Sequence, residues 1–143
     1  MPQTKTAEET LRSHYDALRN GKPLPTYFAE DEGTFKFGIT ERLFGYDEVE
    51  RALSEQTDET KEWTVESHKL RVREQKEHAF FGDIVRMAWK NTKKGRTYDF
   101  ETRWTGVLKR HDSDEPWQFV SLHVSTPDEA LGSAEDDLFS WDG

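Results

Sequence analysis

Five histidines, a short series of alternating charges and one serine–histidine–serine run are the parts of this 143-residue chain whose types could do chemistry. His14 is the first candidate acid or base, because an imidazole titrates near neutrality. It shares a helical face with Ala7, Leu11, Tyr15 and Leu18, at spacings of three and four, and so faces an interior. The competing role is a histidine hydrogen-bonded within the core. Asp99, Glu101 and Arg103 fall on one strand parity. Carboxylates beside an arginine can hold and activate a water, as epoxide hydrolysis requires, but the same spacing describes ordinary cross-strand charge pairs. Arg86 lies between Ile84 and Ala88, where an unpaired guanidinium is costly. It needs an acidic partner, either a ligand or an internal carboxylate such as Asp99 or Glu101.

Other chemistries find little support. The histidines at 14, 68, 78, 111 and 123 form no close pair at metal-ligand spacing, no Gly-rich phosphate loop is present, and there is no cysteine. No metal and no cofactor are expected. Ser121 and Ser125 flank His123, yet successive strand residues face opposite ways and the serines share its face only as structural neighbours. Tyr15, Tyr27, Phe100 and Trp104 would form an aromatic wall suited to a flat apolar ligand, and aromatic core packing accounts for them equally well.

These residues must be placed by helices followed by strands. The spacing predicts a helix over 6–20, with Thr6 and Glu9 as a capping box and Gly21 as its stop. Pro23 and Pro25 follow, then a short second helix at 26–29, a strand at 34–37 and a hairpin partner at 39–44. A third helix is expected over 46–57, with Val49, Ala52 and Leu53 on one face and Asp47 and Glu48 near its start. Long strands are expected at 63–73, 78–90 and 96–109, joined by hairpins, with Gly82 as a candidate bulge. The last strand begins at Trp117. Strict alternation sets Val120, Leu122 and Val124 on its core side and Trp117, Phe119, Ser121, His123 and Ser125 on the other. Neither side carries a charge, so each is expected to be covered.

The chain is long enough for one core, and nine Phe, five Trp and four Tyr offset an apolar content of only 33%. With 29 acidic against 20 basic residues, the net charge of -9 argues against nucleic acid or anionic membrane as a partner. No apolar run resembles a signal peptide or a membrane span, and a cytoplasmic location is expected. Residues 1–127 read as one domain. Residues 128–143 hold six acidic residues and no basic one, with Leu138, Phe139 and Trp141 near the end, and read as an acidic tail, either frayed or docked on this subunit or a neighbour.

Helices followed by long antiparallel strands make an α+β layout in which a curved sheet wraps the helices. The order of elements, with the ending Thr105, Trp117, His123 and Ser125, resembles the SnoaL-like members of the nuclear transport factor 2 superfamily and the association domain of calmodulin-dependent kinase. HYDALRNG at 14–21 and YFAEDEGTF at 27–35 resemble the opening of ketosteroid isomerases. The resemblance implies a cone-shaped, cystatin-like α+β roll with a pocket between helix one and the concave face, and a homodimer through the convex face. By that resemblance His14 stands where the isomerases carry a Tyr, and Phe37 stands at their base position. Phenylalanine accepts no proton, so the steroid-isomerase mechanism is disfavoured, with Glu41 a nearby substitute or a solvated hairpin residue. Of the kinase-type pocket arginines only Arg86 is matched, while Gly106 and Val124 replace the others.

The expected function is thus a small-molecule-binding or dimeric assembly domain for a small apolar or acidic ligand. Its pocket would hold Tyr15, Tyr27, Phe37, Arg86, Phe100 and Trp104, with His14 as catalytic candidate in the alternative of an isomerase, dehydratase or cyclase. Arg103, Thr105, Trp117, Phe119, His123 and Ser125 would meet the second subunit. A third possibility is a protein-interaction module acting through Phe139 and Trp141 of the tail.

Overall fold

The computed structural model describes residues 5–127. The expected acidic tail at 128–143 lies outside the described residues. Helix α1 (Ala7–Arg19) starts on the expected capping box: Thr6 Oγ1 accepts from Glu9 N at 3.1 Å, and Glu9 Oε1 accepts from Thr6 N at 2.8 Å. It ends where Gly21 takes φ +65° and Lys22 N donates back to Ala17 O at 2.9 Å. The expected second helix is a single 3-10 turn, Pro25–Tyr27, opened by Pro25 and ended where Phe28 turns extended and bridges Phe119. After β1 (Phe35–Phe37) and β2 (Arg42–Phe44), helix α2 (Tyr46–Glu59) buries Val49 and Leu53.

The remaining strands are β3 (Thr60–Ser67), β4 (Arg71–Glu74), β5 (His78–Asn91), β6 (Arg96–Lys109) and β7 (Gln118–Ser125). They form one seven-stranded sheet in the order β2-β1-β7-β6-β5-β3, with β4 also paired to β5. The expected strand at 63–73 is therefore two strands, broken at the corner where Lys69 N turns inward to Asp83 Oδ1 at 2.9 Å. Among the named strands of the described residues all pairings are antiparallel except one: β1 lies parallel to β7, Phe35 opposite Ser121 and Phe37 opposite His123. The result is a large, curved, open sheet holding the helices on its concave side. Leu11, Tyr15 and Leu18 of α1 and Leu53 of α2 join Val65, Val85, Leu108 and Leu122 of the sheet in one core.

Two irregularities interrupt the sheet, and the first decides which side chains of β7 face that core. Between Val107 and Leu108 the β6–β7 register shifts, so that Val107 faces Ser121 and Leu108 faces Phe119, and Val120 is the extra residue. This bulge exchanges the faces of β7. Trp117 and Phe119, expected at a subunit interface, are 1% and 0% exposed in the core, while Leu122 and Val124 remain inward. Next to the bulge sits Gly106, where a Cβ would come within 2.5 Å of Ser121 O and 2.8 Å of the Phe81 ring. No bulge occurs at Gly82, whose strand pairs with β6 without interruption. The second irregularity is in β3, between Lys61 and Thr64, where Glu62 takes φ +59°, an uncommon conformation for a residue with a Cβ.

Candidate functional site

A partly enclosed cavity of about 150 Å³ opens on the concave side between α1, the β1–β2 loop, α2 and the sheet. The volume is that of a benzene-sized guest or a few waters. Trp104, Met87, Leu122 and Val124 come from the sheet, Leu18 and His14 from α1, and Leu53 and Gln56 from α2. Trp63 and Trp89 stack with centroids 4.8 Å apart at the lining, and the stack continues through Tyr98 and Phe100, at 5.2 and 5.8 Å from Trp89. Trp63 shares the inward side of β3 with Val65, and its indole is held by a 2.9 Å bond from Nε1 to Thr60 Oγ1.

The polar groups of the cavity are His14, Lys36, Glu41, Thr40 and Gln56. His14 is 2% exposed, and its Nδ1 has no hydrogen-bond partner among the described residues. Aromatic rings enclose it, those of Phe119, Tyr27 and Trp104 at 5.1, 5.2 and 5.8 Å. Burial, with a smaller contribution from the Lys36 charge, lowers its pKa to about 3. His14 is a neutral imidazole at physiological pH. Lys36, only 8% exposed, forms an ion pair with Glu41 from the β1–β2 loop, in a turn closed by Gly38 N donating to Glu41 O at 2.9 Å. The pair presents one donor and one acceptor with no net charge.

The structure separates the residues expected together. His14 and Trp104 line the cavity, and Phe100 extends its aromatic wall. Phe37 does not line it: parallel pairing with β7 turns Lys36 inward beside Leu122 and sets Phe37 outward against His123, ring centroids 5.9 Å apart. Arg86 lies on the outer face, with 45% of its side chain exposed, and bonds Asp99 at 2.7 and 3.0 Å and Glu66 at 3.2 Å. These carboxylates hold its pKa above the ordinary arginine value, and the guanidinium in turn lowers that of Asp99. The partner is thus internal, and the Asp99, Glu101 and Arg103 series is an exposed charged surface rather than a water-activating site. Tyr27 packs behind His14 and shares a 2.7 Å hydrogen bond with Ser13. Tyr15 is buried away from the cavity, bonding Asp83 at 2.9 Å, and burial first and that carboxylate second raise its pKa. Arg103, Thr105 and His123 lie exposed on the convex face with half-buried Ser125. Among the described residues no group of His, Asp or Glu side chains is arranged to hold a metal ion, and no helix is long and apolar enough to cross a membrane.

A curved sheet cupped over two helices, with an aromatic cavity at its concave side, defines the class of cone-shaped α+β folds to which nuclear transport factor 2 gives its name. The chain belongs to the SnoaL-like domain family, which its sequence matches over residues 7–129. A provisionally assigned dehydratase of the NTF2-like family from Streptomyces avermitilis superposes with a TM-score of 0.72 at 15% identity, covering 84% of this chain and 93% of that one. A ketosteroid isomerase-like protein from Erwinia carotovora atroseptica gives 0.68 at 14%, covering 85% and 93%. A provisionally assigned calcium/calmodulin-dependent protein kinase type II association domain from Thiobacillus denitrificans gives 0.68 at 16%, covering 90% and 100%. At identities this low the superpositions establish the shared fold and nothing further. No curated protein matches the sequence.

Proposed function

We propose that this SnoaL-like domain binds a small, flat, largely apolar molecule bearing a neutral hydroxyl or carbonyl group. The observation that carries the reading is the Lys36–Glu41 pair at the edge of a tryptophan-lined cavity of about 150 Å³. Indole faces supply flat apolar area, and the pair offers a donor and an acceptor already in place. A carboxylate guest would have to displace Glu41 or face it, so the acidic ligand anticipated through Arg86 gives way to a neutral one. Phenol and benzoate are the test probes, titrated while following the indole signals of Trp104, Trp89 and Trp63 by NMR. Phenol is expected to shift all three more than benzoate does, and Lys36→Met to weaken phenol by about tenfold, the value of one hydrogen bond to a charged group. Phenol shifts confined to residues outside the cavity would sink the proposal.

Catalysis remains as a second reading, but its base moves. An imidazole with a pKa of about 3 is a poor proton acceptor near neutral pH, so His14 serves as a polar wall. Glu41 lines the cavity with a third of its side chain accessible. In this reading it abstracts a proton next to a carbonyl while Lys36 steadies the oxygen. Deuterium uptake from solvent by a small cyclic ketone, abolished in Glu41→Gln, is the result that would favour it over simple binding.

Self-association completes the proposal. The convex face carries Phe35, Phe37 and His123 beside Phe44, which is 59% exposed, with Phe80, 58% exposed, further across the same sheet. This apolar surface, joined by Arg103, Thr105 and Ser125, is where a second copy would seat.

A further inference from the structure

The aromatic stack does not stop at the cavity. From Trp63 and Trp89 it runs outward through Tyr98 and Phe100, four half-buried rings in ring-to-ring contact on the concave side. Strand β7 ends at Ser125, opposite Arg103, so the part of β6 from Arg96 to Thr102 has β5 on one side and no strand on the other among the described residues. The described chain leaves at exactly this edge. Thr126 Oγ1 donates to Glu101 O at 2.8 Å, one residue from Phe100.

We infer that the C-terminal segment of the same chain, through Leu138, Phe139 and Trp141, docks on this aromatic ladder. Three observations choose this occupant. The first is position: sixteen residues follow Pro127, which is beside the ladder. Reach is the second. Eleven extended residues from Pro127 to Leu138 span at most roughly 35 Å, and the β6 edge from Glu101 to Arg96 is only roughly 17 Å long. The third is charge, because the segment holds six acidic residues and no basic one. At the far end of the ladder the β5–β6 hairpin carries Lys93, Lys94 and Arg96, all exposed. Lys93 is shared with Glu59 at 3.7 Å, whereas Lys94 and Arg96 form no ion pair among the described residues. Glu135, Asp136 and Asp137 directly precede Leu138 and Phe139, so apolar docking and charge pairing can be satisfied together. This inference stands whether or not the cavity holds a ligand.

The chain has no cysteine, so Ser140→Cys gives full-length protein one attachment point for a nitroxide label. Amide signals of Trp89, Arg96, Tyr98 and Phe100 are expected to broaden several-fold more than those of His78 and Phe44 at the opposite end of the sheet. Adding Phe139→Ser and Trp141→Ser to the labelled chain should remove the difference, and Lys94→Glu with Arg96→Glu should reduce it. Uniform broadening, or broadening that survives loss of both aromatics, overturns the inference. A mixture of isotope-labelled chain with separate nitroxide-labelled chain identifies the occupant. Broadening in that mixture equal to that within one chain assigns the ladder to a second copy and overturns docking within the subunit.

Discussion

The Tyr15 hydroxyl donates to Asp83 Oδ2 at 2.9 Å, joining the middle of α1 to β5 beneath the cavity. Asp83 is 4% exposed and also accepts from Ser67 Oγ at 2.6 Å and Lys69 N at 2.9 Å, so one carboxylate holds the helix, β3 and the β3–β4 corner. Removing a donor from a buried carboxylate costs more than an average hydrogen bond. Tyr15→Phe is expected to lower unfolding stability by about 1–3 kcal/mol, measured by urea denaturation. Asp83→Ala, which strands three donors, should cost more.

His14 supplies a pH dependence whose sign follows from its lowered pKa. The native state keeps the imidazole neutral to about pH 3, whereas the unfolded chain protonates it near 6.5. Its contribution is therefore present above pH 6.5 and is lost as pH falls from there toward 3. Between pH 7 and 4.5 the wild type is expected to lose about 2–3 kcal/mol more than His14→Gln. Equal losses in paired urea titrations would show that His14 charges freely in the folded state.

The Lys36–Glu41 pair should respond asymmetrically. Glu41→Gln leaves a lysine that is 8% exposed without its counter-charge, and a loss of about 3 kcal/mol or more is expected. Lys36→Met replaces the buried cation by an apolar chain of similar length, and its stability should stay near wild type. Comparison of the two thermal midpoints checks this.

Gly106→Ala places a methyl against Ser121 O and the Phe81 ring, closer than atoms can approach. Overpacking of this kind costs about 1–3 kcal/mol. Gly82→Ala meets nothing closer than 3.8 Å and serves as the control, with a much smaller change expected in the same chemical denaturation series.

For the convex face, Phe37→Glu and Phe44→Glu should convert a dimer to a monomer in sedimentation velocity. Arg86→Ala, in the charged part of that face, should not. A wild-type protein that sediments as a monomer at all concentrations would refute the proposed interface.

Much of this molecule is legible in its residues, and the exceptions have physical causes. The capping box at Thr6, the stop at Gly21 and the long hairpins follow from local chemistry. The facing of side chains does not. Val120 carries no mark of a bulge, since register is a property of the pair β6–β7, and so alternation alone puts Phe119 on the wrong side. The glycine that marks the bulge is Gly106, where no Cβ fits, whereas Gly82 has room for one. In the three-residue strand β1, nothing local distinguishes Lys36 from Phe37 as the inward side chain; the parallel contact with β7 decides it. Trp63 and Trp89 share the inward parity of Val65 and Met87, but their meeting depends on the β3–β5 register, which neither strand shows alone.

The parallel pairing of β1 with β7 also sets an order of assembly. The β5–β6 hairpin closes a loop of a few residues, whereas Phe35 meets Ser121 only after most of the chain has been gathered in. Distant pairings are disfavoured until nearer ones have shortened the effective loop. The tryptophan wall can therefore form early, and Lys36 with Glu41 arrives last. In a refolding experiment the cavity would exist first as a greasy trough and gain its polar edge only in the final step.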